Sequence, residues 1–307
     1  MSTQTDMGRA FEYAIGVALH KRARVRISES SFSSIASTSF NKISNVYQQV
    51  LLNAADIAVN HILEKEEIRS RNGDELRILF NSDSAGMRGD PRDVILSING
   101  RTLGISCKHN HQALKHSRLS GTSDFVMKWG LDENGCSSDY WDRARPIFSE
   151  LAKMKRDSHG SMRWDSIEDK GGLFYWPILD AWADEITRLC NQSSRKQELV
   201  CKALISYLIG RVDFYKVICE GRSRLIIQGY NFNNTLKSKL SKYPSSIVAI
   251  NNKNGGQYSK TIVFNRGYSI NFRIHSASSK VEPSLKFDIN AIGLPVNDIY
   301  QQYFEIS

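Results

Sequence analysis

Cysteine is scarce in this sequence: there are five residues in 307, none in a Cys-x-x-Cys pair or a cluster with histidine. Their number and spacing argue against a disulfide framework or a zinc module, so we expect a reduced, cytoplasmic protein. No stretch of about 18 apolar residues occurs, so no membrane span is expected. The first residues also lack the basic-then-apolar layout of a secretion signal. The composition is typical of a globular protein, with 41% hydrophobic and 24% charged residues.

Positive charge is in excess, and the excess is local. The formal net charge is +9 at pH 7. Residues 195–307 hold 16 Lys and Arg against 7 Asp and Glu, whereas residues 1–194 hold 25 of each sign. A basic region beside a neutral one indicates a polyanionic partner, because each neutralised phosphate releases counterions. Nucleic acid is the partner that this charge pattern favours.

Apolar periodicity predicts an α/β protein. Helices are expected over residues 8–24, 39–68, 112–119, 140–154, 176–189 and 197–209. Strands are expected over 76–80, 93–98, 101–108, 213–219, 224–227, 247–250, 261–264, 269–274 and 285–289. The apolar stripe of the second helix is expected to pass through Val46, Val50, Ala54, Ile57, His61 and Ile68, with Glu64 in phase. A boundary near residue 193 would separate a core with helical insertions (1–193) from a basic, strand-rich region (194–307), unless both form one continuous domain.

One β-hairpin can be predicted in register. Asn99-Gly100 separates two alternating runs, which favours a two-residue type I′ turn that pairs Ile98 with Arg101. Side chains alternate between the faces of a strand. One face is therefore expected to be apolar and to carry Val94, Leu96, Leu103, Ile105 and Cys107.

The other face of the hairpin carries polar and charged side chains that could catalyse a reaction. The register puts Asp93 opposite Ser106, with Lys108 as its diagonal neighbour. A carboxylate can hold Mg²⁺, which supplies positive charge against a phosphate and lowers the pKa of a bound water. A lysine can orient the attacking water or stabilise the charged transition state. The hairpin therefore predicts hydrolysis of a phosphodiester bond, with Asp93, Ser106 and Lys108 as catalytic residues.

A family resemblance enters at these residues. Pro91–Asp93 and Ser106–Lys108 resemble the PD-(D/E)xK nuclease motif, with serine in place of the middle acid. The resemblance implies a mixed sheet core flanked by helices and a second acid supplied by a preceding helix. Glu64 is our first candidate for that metal ligand and Asp83 the second; Asp90, in the same loop as Asp83, is a further alternative.

Longer segments are similar to the type II restriction endonucleases related to HaeIII. They are Gly89–Leu96, Ile105–Ser120 and Phe272–Ile289. This similarity implies Mg²⁺-dependent cleavage of double-stranded DNA at a short palindrome, expected to be GGCC cut to blunt ends. A palindrome fits a two-fold symmetric homodimer, and a cognate DNA methyltransferase is expected as a functional counterpart. Two alternatives stay open: a structure-specific or repair nuclease, and an inactive DNA-binding protein on a nuclease scaffold.

Two groups of hydrogen-bond donors are candidates for contact with DNA. The first follows the lysine of the motif and comprises His109, Asn110, His111, Lys115, His116 and Arg118. Its simplest role is contact with phosphates, although His109 or His111 could assist proton transfer and three of its histidines could instead hold zinc. The second group comprises Arg273, His275, Ser278, Ser279 and Lys280, as base-reading or clamp residues.

Overall fold

A computed structural model describes residues 3–24, 27–69, 76–82, 90–110, 113–131, 135–253, 258–276 and 278–306. Within these ranges the helices are α1 Gln4–Ala23, α2 Ser31–Lys42, α3 Asn45–Lys65, α4 Phe125–Trp129, α5 Ser138–Asp157, α6 Trp176–Cys190 and α7 Ser194–Ile209. The strands there are β1 Leu76–Phe80, β2 Val94–Ile98, β3 Arg101–His109, β4 Ala113–Ser120, β5 Phe214–Glu220, β6 Arg224–Tyr230, β7 Ile247–Asn252, β8 Ser259–Phe264, β9 Ser269–His275, β10 Ser284–Gly293 and β11 Tyr300–Glu305. No helix in the described part of the chain is long and apolar enough to cross a membrane.

The chain forms two compact units, and neither is continuous in sequence. The first comprises residues 1–112, 210–242 and 296–307, and the second comprises residues 113–209 and 243–295. Each contains one sheet, mixed in the first unit and antiparallel in the second. The predicted α/β class is confirmed. The boundary near residue 193, between a core with helical insertions and a basic, strand-rich region, stays a prediction.

The first unit is built on a six-stranded sheet with the order β1-β2-β3-β5-β6-β11. Strands β3 and β5 run parallel, and the other neighbours are antiparallel. The hairpin prediction is confirmed: Ile98 pairs with Arg101, and Asn99 and Gly100 have φ values of 47° and 83°. Positive φ at both central residues is what a type I′ turn requires. The predicted apolar face of the hairpin lies in the hydrophobic core.

Helix α1 packs on that apolar face, α3 packs on β5 and β6 of the same sheet, and the two helices contact each other. The prediction of one helix over 39–68 is wrong, because α2 ends at Lys42 and α3 begins at Asn45. The buried stripe of α3 also differs from the predicted one and comprises Leu51, Ala54, Ala55, Ala58, Val59, Ile62 and Leu63. Its alanines carry little apolar surface, so a stripe drawn through the larger side chains misplaced the phase. Val46 is 57% exposed.

The second unit contains a five-stranded antiparallel sheet with the order β4-β10-β9-β8-β7. Its apolar side is buried and includes Phe272 and Phe287, whose rings lie 4.6 Å and 5.1 Å from that of Trp182 on α6. The predicted helix over 112–119 is wrong: this segment is strand β4, which pairs with β10. Pairing with a strand far along the chain overrides local preference here.

A buried carboxylate ties the end of α3 to the sheet. Glu66 is 1% exposed and accepts hydrogen bonds from the Tyr215 hydroxyl at 2.7 Å and the Lys237 backbone N–H at 2.9 Å. Arg101, at the start of β3, donates to the same carboxylate at 2.6 Å. Buried polar groups need such partners, because an unsatisfied one costs free energy. Glu66 therefore fixes α3 against the strands that carry the site.

We expect Glu66→Gln to destabilise the protein by about 2 kcal/mol, because an amide cannot satisfy all three donors. Urea denaturation followed by circular dichroism measures the loss. Glu67→Gln is the matched control, since the Glu67 carboxylate forms an exposed ion pair with Lys237 and its loss should change stability little. Equal stability of the two variants would contradict the assigned role of Glu66.

Candidate active site

Asp93 lies immediately before β2 and is held by three donors from β3. Its Oδ2 accepts hydrogen bonds from the Cys107 backbone N–H at 2.7 Å, the Ser106 hydroxyl at 3.1 Å and the Lys108 ammonium at 3.3 Å. The backbone N–H of Asp93 donates to the Ile105 carbonyl at 2.9 Å. No described residue donates to Oδ1, so one oxygen of a fixed carboxylate remains available to a ligand. The structure thus brings together the three residues that the hairpin register predicted.

The charge around Lys108 favours its ammonium form. Burial acts to lower the pKa of Lys108, but the Asp93 carboxylate acts in the opposite direction, and the net pKa lies above the usual lysine value. Glu12, on α1, also raises the pKa of Lys108. This second carboxylate near the lysine was missed by sequence reasoning, because Glu12 lies in a helix that carries no motif.

Asp90, in the loop before β2, is paired with the neighbouring Arg92. Asp90 accepts hydrogen bonds from the Arg92 side chain through both oxygens, each at 2.8 Å. Burial raises the pKa of Asp90, but the hydrogen bonds from Arg92 outweigh it and the net pKa is lowered. The Arg92 stem fills the space at Gly104, where a Cβ would lie 2.0 Å from Arg92 Cδ. Asp90 therefore orients Arg92 beside the site.

A second lysine lies next to Ser106. Lys216 on β5 is the register partner of Ser106 on β3, and neighbouring residues in register share a face of a sheet. It is 6% exposed. Burial lowers the pKa of Lys216 to about 7; Lys108 also lowers it, and Asp93 acts to raise it. Sequence reasoning missed Lys216 because it sits inside an apolar strand, which reads as core.

The structure describes only the first of the two predicted second acids. Glu64 is exposed at the end of α3 and accepts a hydrogen bond from Asn60 at 3.0 Å. No described contact joins Glu64 to Asp93, and its predicted role rests on a helix phase that the structure does not have. Asp83 lies outside the described residues. Within the described ranges, no three His, Cys, Asp or Glu side chains are grouped to hold a metal ion.

Of the donors that follow Lys108, the structure describes the side chains of His109, Asn110 and Arg118. His109 is 5% exposed, and burial lowers its pKa, so the structure does not bring it to a surface that DNA could reach. Asn110 accepts a hydrogen bond from the Gly221 backbone N–H at 2.7 Å, which supports the β5–β6 turn. His111 lies outside the described residues, as do the side chains of Lys115 and His116. The proposed zinc site of histidines therefore falls largely outside the described part.

The polar side of the five-stranded sheet assembles other candidates. The Asp288 Oδ2 atom accepts hydrogen bonds from His275 at 2.6 Å and Arg273 at 3.2 Å, and Lys286 Nζ lies 3.4 Å from Oδ1. Lys286 pairs in register with Arg118 on β4. Cations from three strands therefore share this side of the sheet, where Asp288 accepts from two of them and Arg118 donates to the Glu282 carboxylate at 2.6 Å.

The remaining candidates lie in the connection between β9 and β10. Ser278, Ser279 and Lys280 are all exposed. The Ser278 hydroxyl donates to the Lys280 carbonyl at 2.8 Å, and the Ser279 carbonyl accepts from the Trp164 backbone N–H at 3.0 Å. These contacts shape the connection and leave the Lys280 side chain at the surface.

A mixed sheet packed against helices, with a carboxylate and a lysine side by side on one of its hairpins, is the arrangement of the α/β nucleases. The sequence matches the HaeIII restriction endonuclease family over residues 8–295. It is 32% identical to the type II restriction enzyme HaeIII of Haemophilus aegyptius, over 96% of each chain. No solved structure matches the chain. The chain belongs to the HaeIII restriction endonuclease family and is a type II site-specific deoxyribonuclease.

We expect Asp93→Ala and Lys108→Ala each to lower DNA cleavage by about 10³-fold, because each removes a charge that acts on the reacting groups. DNA binding should persist in both, as a gel-shift assay without divalent metal would show. Ser106→Ala keeps two of the three donors to Asp93 and should lose less activity. Full cleavage by either of the first two variants would remove that residue from the site.

Proposed function

We propose that this enzyme cleaves double-stranded DNA in a Mg²⁺-dependent reaction at GGCC and leaves blunt ends. The observation that carries the proposal is the fixed Asp93–Ser106–Lys108 cluster in a chain of the HaeIII family. The target and end type come from the similarity to that family, and the chemistry comes from the cluster. A palindromic target favours a homodimer, in which two copies of the site act on the two strands.

The residues present fit a magnesium ion. Mg²⁺ is usually bound by one or two carboxylates and completes its shell with waters and substrate phosphates. Asp93 offers Oδ1, while three donors fix its other oxygen. Two acids are candidates for the second carboxylate: Glu64, from the sequence, and Glu12, whose charge reaches Lys108. We favour Glu12, because only this acid has an electrostatic connection to the cluster.

Each side chain of the cluster has a different role in the proposed hydrolysis. When bound, Mg²⁺ supplies positive charge against the phosphate and lowers the pKa of a water molecule. Asp93 would hold the ion through Oδ1, the oxygen to which no described residue donates. The Ser106 hydroxyl donates to Asp93 and fixes its rotamer. Lys108, kept cationic by Asp93, donates to the attacking water or to a phosphate oxygen and offsets the charge that develops there.

Digestion of a fully sequenced DNA, with end-mapping of the fragments, tests the proposal. We expect discrete fragments with blunt ends inside GGCC when Mg²⁺ is present, and none when EDTA removes it. Asp93→Ala is the control for contaminating nuclease. Nicked or smeared DNA would instead indicate a structure-specific or repair nuclease, and binding without any cutting would indicate an inactive DNA-binding protein.

The polar side of the five-stranded sheet is our proposed surface for DNA recognition. Arg273 is 40% exposed at its side chain and hydrogen-bonds to Asp288, which limits the rotamers that its guanidinium adopts. An oriented guanidinium suits bidentate contact with guanine, the purine of every base pair in GGCC. Arg118, His275 and Lys286 flank it and would contact phosphates or neighbouring bases.

We expect Arg273→Ala to weaken binding to GGCC by about 10-fold or more, because a bidentate contact with guanine is lost. Competition gel shifts with GGCC and single-base variants provide the measurement. If Arg273 reads a base, the preference for GGCC falls; if it contacts a phosphate, binding weakens equally for all sequences. Arg143→Ala is the control, because Arg143 pairs with Asp184 on the helical part of the second unit. Unchanged binding by Arg273→Ala would exclude this surface residue from recognition.

A further inference from the structure

Lys216 is an ionisable group on the strand next to the cluster, and the proposed mechanism does not use it. Parallel pairing of β3 and β5 sets Lys216 directly beside Ser106. Neighbouring strands are about 4.8 Å apart, so a lysine side chain from Lys216 spans the distance to groups around Ser106. Lys108 and Asp93 both act on the pKa of Lys216, which places its ammonium within electrostatic reach of both.

The sequence of β5 makes a lysine at this position costly. Residues Phe214–Cys219 are all buried, and Lys216 is the charged one among them. An apolar side chain would fit such a strand without the cost of desolvating an ammonium group. A charged group kept at that cost beside an active site indicates a role in the reaction.

Lys216 begins a polar row that crosses this side of the sheet. On β6, its register partner is Gln228, which in turn pairs with Gln301 on β11. Gln228 donates to Gln301 Oε1 at 2.7 Å and accepts from the Tyr230 hydroxyl at 2.9 Å. These bonds hold Gln228 on β6, on one side of Lys216. Ser106 lies on β3, on the opposite side of Lys216, together with Asp93.

The charge of the cluster explains what Lys216 would do there. Ser106 is neutral, whereas an acid in its place would help to hold a second cation against the phosphate, as in two-metal sites. The lysine on the next strand puts a positive charge next to this neutral position. An incoming phosphate would also offset the desolvation of Lys216.

We propose that the Lys216 ammonium contacts the scissile phosphate and supplies there the positive charge that a second metal ion supplies in two-metal nucleases. The proposal rests on the proposed function, because it needs a phosphodiester at Asp93. It makes Lys216 a catalytic residue. With Ser106 neutral and Lys216 positive, the proposal needs one metal ion at each site.

A charge-deletion cycle between enzyme and DNA tests this contact without catalysis. Binding of a GGCC duplex is compared with binding of the same duplex carrying a neutral methylphosphonate at the scissile position, both in EDTA. For the wild type we expect the neutral linkage to weaken binding by about 10-fold, the range for a charge-assisted hydrogen bond. For Lys216→Met the two duplexes should bind with equal affinity.

Two further variants separate a contact from a structural role. Lys216→Arg keeps the charge and should keep the sensitivity to the methylphosphonate. Lys260→Met removes another buried lysine, which pairs with Asp180 in the second unit, and should also keep it. Should Lys216→Met fail to fold, Lys216→Gln serves the same comparison with a polar side chain.

The outcomes distinguish this proposal from the proposed function. If wild-type enzyme cuts GGCC but Lys216→Met retains the full methylphosphonate penalty, the contact is overturned and the nuclease stands. If the wild type cuts no DNA, the proposed function fails first. Cleavage by Lys216→Met with Mg²⁺ should fall by about 10² to 10³-fold, the range for loss of one electrostatic donor to the transition state.

Discussion

The register of the β2–β3 hairpin determines both the core of the first unit and its site. The Asn99-Gly100 turn closes the hairpin over two residues, and alternation then separates Leu96 and Ile105 from Asp93 and Ser106. A slip of one residue would exchange the two faces. It would bury a carboxylate among apolar side chains and expose the core residues, both at a large cost in free energy. Burial of the apolar face of the hairpin under α1 thus selects the register that assembles the candidate site.

Local sequence patterns predicted correctly the features that depend on residues close together in the chain. The hairpin, its turn type and the contact of Asp93 with Ser106 follow from about sixteen residues, and all are found. The segment over 112–119 shows the limit. Its periodicity permits a short helix, but β10, some 170 residues later, pairs with it as a strand. The residues of the segment itself contain no information that identifies β10 as its partner strand.

Lys216 shows the same limit within the site. The relation between Ser106 and Lys216 arises from parallel pairing of strands separated by more than a hundred residues. From sequence, Lys216 is one cation among many in the basic last third of the chain. The structure also shows that this third is not one body, because it contributes β5, β6 and β11 to the first unit and β7–β10 to the second. The net charge of this range therefore indicated a polyanionic partner, but it could not indicate which surface of the protein binds that partner.

The serine in the motif changes how the site is organised. An acid at position 106 would repel Asp93 and need a cation between them, whereas the Ser106 hydroxyl donates to Asp93 and orients it. Donors from three successive residues of β3 then converge on one oxygen and leave the other free for an ion. With serine at this position the cluster carries one negative charge fewer than it would with an acid. In the proposed reaction the ammonium groups of Lys108 and Lys216 would meet the phosphate directly, because position 106 carries no carboxylate that competes for them.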